Sequence, residues 1–386
     1  MGKGGPMRIL VDGRVMQDRY HGVGTVTFEL LRELCTRDVD LIVLHSRESG
    51  RLPVSELLAE PAIQPVPSYV PVASLRSQHE LWRAARTFRP DAVYLPYHLA
   101  TPLLPIGVPI VTMIQDRVFE GQAADDGRSA FSATYGMATR RAIRSSAEVL
   151  APTEATRQDI ERFYGVTLPE EAVLPYGIGD KFFSVGTRAA GHGRPDGLPG
   201  RYILHVGTRR PHMNQKVLVG ALAQLLDSHP DLGLVLVDQD DSVVPDEASE
   251  LIKRLGLADR VRQYTRADDD TLLDLYANAA AFAYPSVADA FELPVLEAMA
   301  AGLPVVASDS EVVREAAGYG ALSVPTQSVE DWAKAFDQVL EDPAYRAELR
   351  DRGVAVAADR TWHRTADLTL DALIRAASRS MQTKAG

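Results

Sequence analysis

Short apolar runs alternate with longer amphipathic stretches along the chain, and this alternation predicts strands followed by helices. In the first half, such runs predict strands at residues 8–12, 41–44, 91–95, 109–113 and 148–151. In the second half, they predict strands at residues 202–206, 232–237, 261–264, 279–284, 304–307 and 321–324. Strands at these intervals, with helices between them, indicate an α/β fold built on parallel sheets.

Residues 184–200 interrupt this pattern with five glycines and two prolines, which is typical of a linker. The sequence therefore predicts an N-terminal domain over residues 1–183 and a C-terminal domain over residues 201–361. Both domains are predicted to be doubly wound and Rossmann-like. A last helical segment, residues 362–386, follows the second domain.

Composition narrows the classes of partner. The chain is 46% hydrophobic and 24% charged, and its net charge of −11 argues against nucleic acid or a bulk anionic membrane, although local basic patches stay possible. The lone Cys35 excludes an intrachain disulfide framework and a cysteine zinc cluster. No apolar run approaches the ~18 residues of a membrane span. With no hydrophobic signal region at the N-terminus, we expect a cytoplasmic location.

The segment between the predicted strands 279–284 and 304–307 is predicted to hold a short helix, residues 294–301. Pro294 suits the first helical position, and Gly302 suits the left-handed residue that ends a helix. The N-terminus of this helix follows a parallel strand, and open α/β sheets bind ligands at the carboxyl ends of their strands. We therefore expect the binding site of the second domain here.

Backbone amides and carboxylates occur together at this helix start. The amides of Phe291, Glu292 and Leu293 favour an anion such as a diphosphate. Asp289 and Glu297, with seven residues between them, are able to accept hydrogen bonds from hydroxyl groups. A phosphate site flanked by hydroxyl-binding carboxylates suits a nucleotide sugar.

The same segment resembles the E-x7-E signature of family 4 glycosyltransferases, which are retaining enzymes with the GT-B fold. The match includes Pro294, Glu297, Gly302 and Pro304, and the run Leu296-Glu-Ala-Met-Ala within it. Three positions depart from the family pattern, and these are Asp289 for Glu, Ala290 for Gly and Glu292 for Gly. The resemblance implies two Rossmann-like domains facing each other across a cleft, with the last helix crossing back to the first domain.

The resemblance also implies a cation near the donor diphosphate. Relatives carry a lysine where this chain has Met213, so Arg209, Arg210 and Lys216 are the candidates to replace it, Arg209 first. Asn214 is predicted to cap the helix that follows. The complete set of predicted donor-binding residues is Gly22, Gly24, Thr208, Arg209, Arg210, Asn214, Lys216, Asp289, Ala290, Phe291, Glu292, Leu293 and Glu297.

The glycines of this set, Gly22 and Gly24, resemble the G-I-G loop of mannosyltransferase-like members, where the backbone approaches the diphosphate. On the acceptor side, relatives carry His-Asp where this chain has Gln115 and Asp116. Arg14 and His98 complete the acceptor-side candidates; Arg14 is expected to reach acceptor, phosphate or a surface carboxylate. Asp116 is equally interpretable as a cap or turn residue.

Asp289, Arg209 and Asp116 are the predicted catalytic residues, and no metal ligand is predicted. The acidic run 268–270 precedes a helix and is interpreted as its cap and dipole partner. No cofactor is expected beyond the sugar nucleotide, and the glycine loop favours GDP over UDP. By resemblance, transfer retains the anomeric configuration and needs no metal ion.

The shorter Asp289 and the additional charge of Glu292 favour an unusual sugar and a small-molecule acceptor, as in antibiotic biosynthesis. A polysaccharide or lipid-linked sugar is the alternative acceptor. Two further alternatives stay open, namely a pseudo-glycosyltransferase coupling a cyclitol and a degenerate protein that binds nucleotide sugar without turnover.

Overall fold

A computed structural model describes the protein over residues 5–16, 21–46, 53–72, 74–115, 129–185, 194–238, 247–265, 267–287 and 293–385. The chain forms two compact units. Unit 1 comprises Met1–Gly177 and Trp362–Gly386, and unit 2 comprises Ile178–Thr361.

Unit 1 contains one parallel six-stranded sheet with helices in the connections. Its elements before the crossing to unit 2 are β1 (Met7–Asp12), α1 (His21–Leu34), β2 (Val39–His45), α2 (Val54–Leu58), β3 (Ile63–Pro67), α3 (Leu75–Phe88), β4 (Ala92–Leu95), β5 (Ile110–Met113), α4 (Ser129–Ser145), β6 (Glu148–Leu150) and α5 (Glu154–Tyr164). The strand order is β3-β2-β1-β4-β5-β6, which is the order of a doubly wound Rossmann-like sheet.

The central strands are apolar because helices cover both faces of a parallel sheet. In β1, the side chains of Ile9, Leu10 and Val11 are completely buried. Edge strand β3 is different, since it carries Pro65 and Pro67 and, among the described strands, pairs with β2 alone. A proline removes a backbone donor and is tolerated at a sheet edge, which is why the apolar pattern did not predict this strand.

Unit 2 repeats the same plan. Its elements are α6 (Asp180–Phe183), β7 (Arg201–Val206), α7 (Gln215–Leu225), β8 (Leu232–Val237), α8 (Glu247–Arg254), β9 (Val261–Tyr264), α9 (Asp269–Asn278), β10 (Ala281–Tyr284), α10 (Leu293–Ala300), β11 (Val305–Ser308), α11 (Glu311–Ala317), β12 (Ala321–Val324), α12 (Val329–Glu341) and α13 (Pro343–Ala358). The sheet order, β12-β11-β10-β7-β8-β9, is again doubly wound and wholly parallel. The prediction of two doubly wound α/β sheets is confirmed.

The chain passes between the units after Gly177 and again after Thr361. The predicted domain limit, residue 183, and the predicted linker, residues 184–200, lie later in the chain. The difference arises because Phe182 and Val185 are buried in the apolar core of unit 2. The segment before the glycine-rich run therefore belongs to unit 2.

The last helix, α14 (Trp362–Ala385), packs in unit 1. Trp362 stacks on Tyr176 with ring centroids 6.3 Å apart, and the Thr365 hydroxyl donates to the Pro175 carbonyl oxygen at 2.8 Å. Arg375 pairs with buried Glu148 at 3.4 Å. Across the described parts of the chain, no helix combines the length and apolar character needed to cross a membrane.

Candidate functional site

The centre of the unit 2 sheet is the place where the strand order reverses. β7 pairs with β8 on one side and with β10 on the other, and the connections from these strands leave in opposite directions. A crevice opens outside the carboxyl ends of strands at such a switch point, and open α/β sheets bind their ligands there. The loops after β7 and β10 therefore define the candidate site.

These two loops are joined by a backbone hydrogen bond. The Val287 amide, after β10, donates to the His212 carbonyl oxygen, after β7, at 2.8 Å. The Ser308 hydroxyl, at the end of β11, donates to the Ser286 carbonyl oxygen at 2.6 Å. Loop segments from three neighbouring strands are thus held in one arrangement at the carboxyl edge of the sheet.

Helix α10 begins at Leu293, one residue before the predicted start, and it follows the loop after β10. Asp289, Ala290, Phe291 and Glu292 lie outside the described residues, so their predicted roles stay predictions. Leu293 is half-buried in the first turn of α10. Amides in a first turn have no intrahelical partner, which gives this helix start the polarity that an anion requires.

Glu297 lies one turn further along α10 and is half-buried. Its Oε2 atom accepts a hydrogen bond from the Tyr276 hydroxyl at 3.2 Å. Tyr276 is fully buried and stacks on Phe282, with ring centroids 5.8 Å apart. A rigid aromatic residue therefore orients the carboxylate that the sequence assigned to hydroxyl binding.

Arg209 forms an ion pair with a buried carboxylate in this region. Its Nε atom lies 3.0 Å from Oδ2 of Asp238, which follows β8 and is only 3% exposed. The Arg209 side chain is 16% exposed. The carboxylate fixes one edge of the guanidinium group, which offers donors on more than one side. Asp238 was not among the predicted site residues.

The other candidate cations differ from Arg209 in exposure and in partner. Lys216, in the first turn of α7, pairs with Glu247 at 2.6 Å, and the two side chains are 49% and 68% exposed. Arg210 is exposed, whereas Thr208 is half-buried and its carbonyl oxygen accepts from the Gln215 side chain at 3.3 Å. The choice of Arg209 as the first candidate stays a prediction.

Met213 stands where family members carry lysine, and its side chain is only 1% exposed. The Met213 ε-methyl group occupies the space that a Cβ atom on Gly207 would take. This close approach explains the glycine directly after β7, because any larger residue would displace the methionine. The position has therefore become part of the apolar core of unit 2.

Asn214 occupies the N-cap position of α7, as predicted, but it does not cap the helix with its side chain. Asn214 adopts a left-handed backbone conformation with φ of 48°, and its side chain makes no capping hydrogen bond. Its Nδ2 atom instead donates to the Thr326 carbonyl oxygen at 2.7 Å. The amide side chain thereby ties the loop after β7 to the turn after β12.

The glycine pair of unit 1 lies in a helix and not in a loop. Helix α1 begins at His21, four residues before the predicted start at 25, so Gly22 and Gly24 occupy its first turn. Glycine is tolerated in a first turn, where the backbone amides are free of intrahelical bonds. Those amides are still available to an anion, and the predicted contact with a diphosphate stays a prediction.

Arg14 is fully buried and is not at the surface, where the sequence left open a contact with a surface carboxylate. Its Nε and Nη2 atoms pair with the two oxygens of buried Asp12 at 2.7 and 2.6 Å. Nη1 lies 3.4 Å from the Ser68 hydroxyl and 3.9 Å from Glu80. These contacts hold the guanidinium group inside unit 1, at the carboxyl end of β1.

Two other acceptor-side candidates lie near each other at the carboxyl edge of the unit 1 sheet. β4 and β5 are paired, His98 follows β4, and Gln115 follows β5. The Gln115 Nε2 atom donates to the Pro96 carbonyl oxygen at 2.6 Å, and both candidate side chains are completely buried. Burial lowers the pKa of His98 to about 3. Asp116 lies outside the described residues.

The acidic run before α9 acts as a helix cap. Asp268 accepts a hydrogen bond from the Thr271 amide at 2.7 Å, which confirms the cap interpretation. In the described part of the chain, no group of three His, Cys, Asp or Glu side chains is arranged to hold a metal ion.

His205, in β7 beneath the site, was missed because it lies inside an apolar run. Its Nδ1 atom lies 2.9 Å from the Ala283 carbonyl oxygen and donates to it, so Nε2 carries a lone pair. Nε2 has no hydrogen-bond partner within the described chain. Burial is the main reason that the pKa of His205 falls to about 4, so the ring is neutral in the folded protein.

This depressed pKa predicts that unit 2 loses stability in mild acid. The unfolded chain takes up a proton near the ordinary pKa of 6.5, whereas the folded chain does so only near 4. The contribution of neutral His205 to the free energy of unfolding is therefore complete above pH 6.5. It decreases by about 1.4 kcal/mol per pH unit as the pH falls from 6.5 towards 4. In urea unfolding at several pH values, the free energy of unfolding should decrease less steeply with falling pH for His205→Asn than for the wild-type protein.

A His363→Asn variant, at an exposed position, controls for the loss of a histidine as such. The assignment is contradicted if His205→Asn and the wild-type protein lose stability with the same slope between pH 6.5 and 5.

Comparison with known proteins identifies the class to which this site belongs. The family described as "Glycosyl transferases group 1" matches residues 196–355, and the family described as "Glycosyltransferase Family 4" matches residues 20–179. The two matches together cover most of the chain. The chain therefore belongs to the family 4, group 1 glycosyltransferases, as its sequence resemblance implied.

Curated relatives share part of their length with this chain. A D-inositol 3-phosphate glycosyltransferase of Kineococcus radiotolerans is 30% identical over 257 residues, which cover 61% of this chain and 59% of the relative. A protein of the same name from Nocardia farcinica is 31% identical over 242 residues, or 60% of this chain and 53% of the relative. The matched region thus spans a little more than half the length of these relatives.

Solved structures show the same fold. Sucrose-phosphate synthase from Thermosynechococcus elongatus has a TM-score of 0.76 at 18% identity, covering 96% of this chain and 98% of that chain. Anabaena Alr3699/HepE, in complex with UDP and glucose, has a TM-score of 0.71 at 20% identity, covering 95% and 99%. The fold is the GT-B fold of glycosyltransferases, which confirms the predicted fold class.

Proposed function

We propose that the chain transfers a sugar from a nucleoside diphosphate donor to a small-molecule acceptor. The observation that carries this proposal is Arg209, anchored by buried Asp238 at the switch point of unit 2. A fixed cation next to the loops after β7 and β10 suits the diphosphate of a nucleotide sugar. The membership of family 4 supports the same chemistry.

Different residues of unit 2 would bind different parts of the donor. Arg209 and the free amides at the start of α10 would hold the diphosphate and stabilise its charge as the sugar leaves. Glu297, oriented by Tyr276, would accept hydrogen bonds from ribose hydroxyl groups, as the family resemblance implies. Asp289 would hold hydroxyl groups of the transferred sugar.

We propose that transfer retains the anomeric configuration and requires neither a metal ion nor a cofactor. The acceptor would attack the face from which the diphosphate leaves. The departing phosphate oxygen would take the proton of the acceptor hydroxyl, so that no separate base is needed. Asp116 would bind the acceptor.

Two nucleotide bases are candidates. The G-V-G segment favours GDP, although the structure places its glycines in the first turn of α1 and not in a loop. The Anabaena neighbour was solved in complex with UDP, which supports UDP. Direct titration with each nucleotide decides between them.

Two separate observations support a proposal for the chemical class of the acceptor. The shorter Asp289 and the charge of Glu292 favour an unusual donor or acceptor, as in specialised metabolism. The relatives named for D-inositol 3-phosphate support a phosphorylated cyclitol as the acceptor class. We propose that D-inositol 3-phosphate be tested first, with unphosphorylated inositol as the matched control.

A second candidate is a protein that binds nucleotide sugar without turnover. Met213 favours it, because the family lysine is replaced by a methionine that is buried in the core of unit 2. Arg209 would then hold the nucleotide while no transfer follows.

Calorimetric titration with UDP and GDP, together with nucleotide release from a panel of donors, separates these candidates. Turnover that depends on an acceptor supports transfer, and the configuration of the product tests retention. Binding without turnover across the panel supports the second candidate. Failure of both nucleotides to bind would contradict both, and strong turnover of GDP-mannose with a simple mannoside would end the proposal of an unusual sugar.

A further inference from the structure

The outer face of α3 carries an unbroken basic stripe. Arg76, His79, Arg83 and Arg86 are all exposed, and their spacing places them on one side of the helix. The single carboxylate of α3, Glu80, is half-buried and contacts Ser68 beneath the helix. The face that α3 turns outward is therefore positively charged, in a chain whose net charge is −11.

An aromatic side chain accompanies these arginines. The Arg86 guanidinium group lies 4.4 Å from the centre of the Trp82 ring, and His79 stacks on the same ring at 6.2 Å. Trp82 is half-buried at the flank of the stripe. Tryptophan next to arginine is typical of helices that lie in the interface between water and lipid headgroups.

An exposed apolar loop lies on the same flank of α3. The Leu103 amide donates to the Gln78 side chain at 2.6 Å, and Gln78 precedes Trp82 by one helical turn. Leu103 is 49% exposed and Leu104 is 73% exposed. Two adjacent leucines therefore project beside the tryptophan and its arginines.

Helix α4 extends this surface on the other side of the loop. The Arg141 Nε atom donates to the Pro102 carbonyl oxygen at 3.0 Å, which fixes the loop against α4. Met137, one turn before Arg141, is 63% exposed, and Arg140 and Arg144 are exposed on the same helix. Helix α4 contains no carboxylate.

We propose that this surface, formed by α3, the loop at Leu103–Leu104 and α4, docks unit 1 on a bilayer of anionic phospholipid. Within the described chain, Arg76, Arg83, Arg86, Arg140 and Arg144 form no ion pair with a carboxylate. Charge complementarity selects anionic headgroups, and the exposed leucines and Met137 supply apolar groups that enter the acyl boundary. The net charge of −11 argues against a bulk anionic membrane, and this surface is a local basic patch of the kind that the sequence left open.

The exposed apolar residues favour a bilayer over a soluble polyanion. A nucleic acid or an acidic polysaccharide is bound through phosphate or carboxylate groups and gains little from leucine side chains. Binding to a bilayer gains from both features, and only its electrostatic part is screened by salt. This difference makes the leucines the decisive residues of the test.

The test is co-sedimentation of the full chain with vesicles of phosphatidylcholine, with and without phosphatidylglycerol. We expect binding only to the anionic vesicles. The triple variant Arg76→Gln/Arg83→Gln/Arg86→Gln should partition about 100-fold less, since each arginine near an anionic surface contributes about a factor of five. The variant Leu103→Ser/Leu104→Ser should partition about 10-fold less.

A matched control, Lys253→Gln/Arg254→Gln/Arg350→Gln, removes the same charge from exposed positions of unit 2 and should bind as the wild type does. All these positions are exposed, and thermal unfolding verifies that each variant is folded. Equal binding of the wild type to neutral and anionic vesicles would overturn the proposal. A second outcome would also overturn it: the leucine variant binds vesicles as the wild type does, and the wild type binds heparin or duplex DNA as tightly as it binds anionic vesicles.

Discussion

Replacing Arg14 with methionine is expected to destabilise unit 1 by about 3–5 kcal/mol, which is the usual cost of removing one partner from a buried ion pair. Arg14 is 0% exposed and Asp12 is 1% exposed. Methionine fills much of the same volume but supplies no donor, so the Asp12 carboxylate stays buried without its cation. Urea unfolding followed by circular dichroism measures the loss.

Two comparisons make this result specific to the buried pair. Arg37→Met removes an arginine whose two partners, Glu33 and Asp367, are 23% and 49% exposed and stay in contact with water, and we expect a loss below about 1 kcal/mol. The double variant Asp12→Asn/Arg14→Met removes both charges and should be more stable than Arg14→Met alone. A loss below about 1 kcal/mol for Arg14→Met would show that the pair contributes little.

Arg14 also shows where sequence reasoning stops. An arginine directly after a strand is interpretable as a phosphate ligand, an acceptor ligand or a surface group. The distinction depends on Ser68 and Glu80, which are more than fifty residues away in the chain. Contacts at such separations leave no periodic signal, so the burial of Arg14 becomes visible only in the folded structure.

The fold itself was predictable because its central strands are nearly continuous apolar runs. Such runs follow from burial on both faces of a parallel sheet, and they appear directly in the sequence. The pattern failed at β3, where prolines are tolerated only because the strand lies at an edge. It also placed the start of α1 too late, because Gly22 and Gly24 resemble a loop while the first turn of a helix accepts them.

In the candidate site, the sequence predicted which kinds of group are present but not how they are held. The requirement for a cation next to a diphosphate pointed to Arg209. Its anchor Asp238 comes from the neighbouring strand β8, and the orienting Tyr276 comes from α9. A polar residue at the end of a strand next to the switch point was the available signal for Asp238. The side-chain contact of Asn214 could not be predicted, because its partner Thr326 lies in another loop.

Replacing Arg209 with methionine is expected to lower the rate of transfer by about 10²–10³-fold, which is typical of removing one group that stabilises developing negative charge. The loss should appear in kcat, with weaker binding of the nucleotide product as well. Initial rates with the donor that the panel identifies, and calorimetric titration with UDP and GDP, provide the measurements. Arg209 is 16% exposed, but its removal leaves the buried Asp238 carboxylate without this cation, so urea unfolding is measured alongside to verify that Arg209→Met is folded under the assay conditions.

The neighbouring cations decide whether this loss belongs to Arg209. Lys216→Met and Arg210→Met test whether one of these cations, and not Arg209, holds the diphosphate. A larger loss of kcat in either variant than in Arg209→Met would contradict the assignment to Arg209. Arg254→Met, at the exposed end of α8, controls for a general loss of positive charge. Asp238→Asn tests the anchor: the cation remains but its orientation is no longer fixed, so kcat should fall less than in Arg209→Met. If Arg209→Met transfers sugar at the wild-type rate, the diphosphate is held by other groups and the switch-point assignment fails.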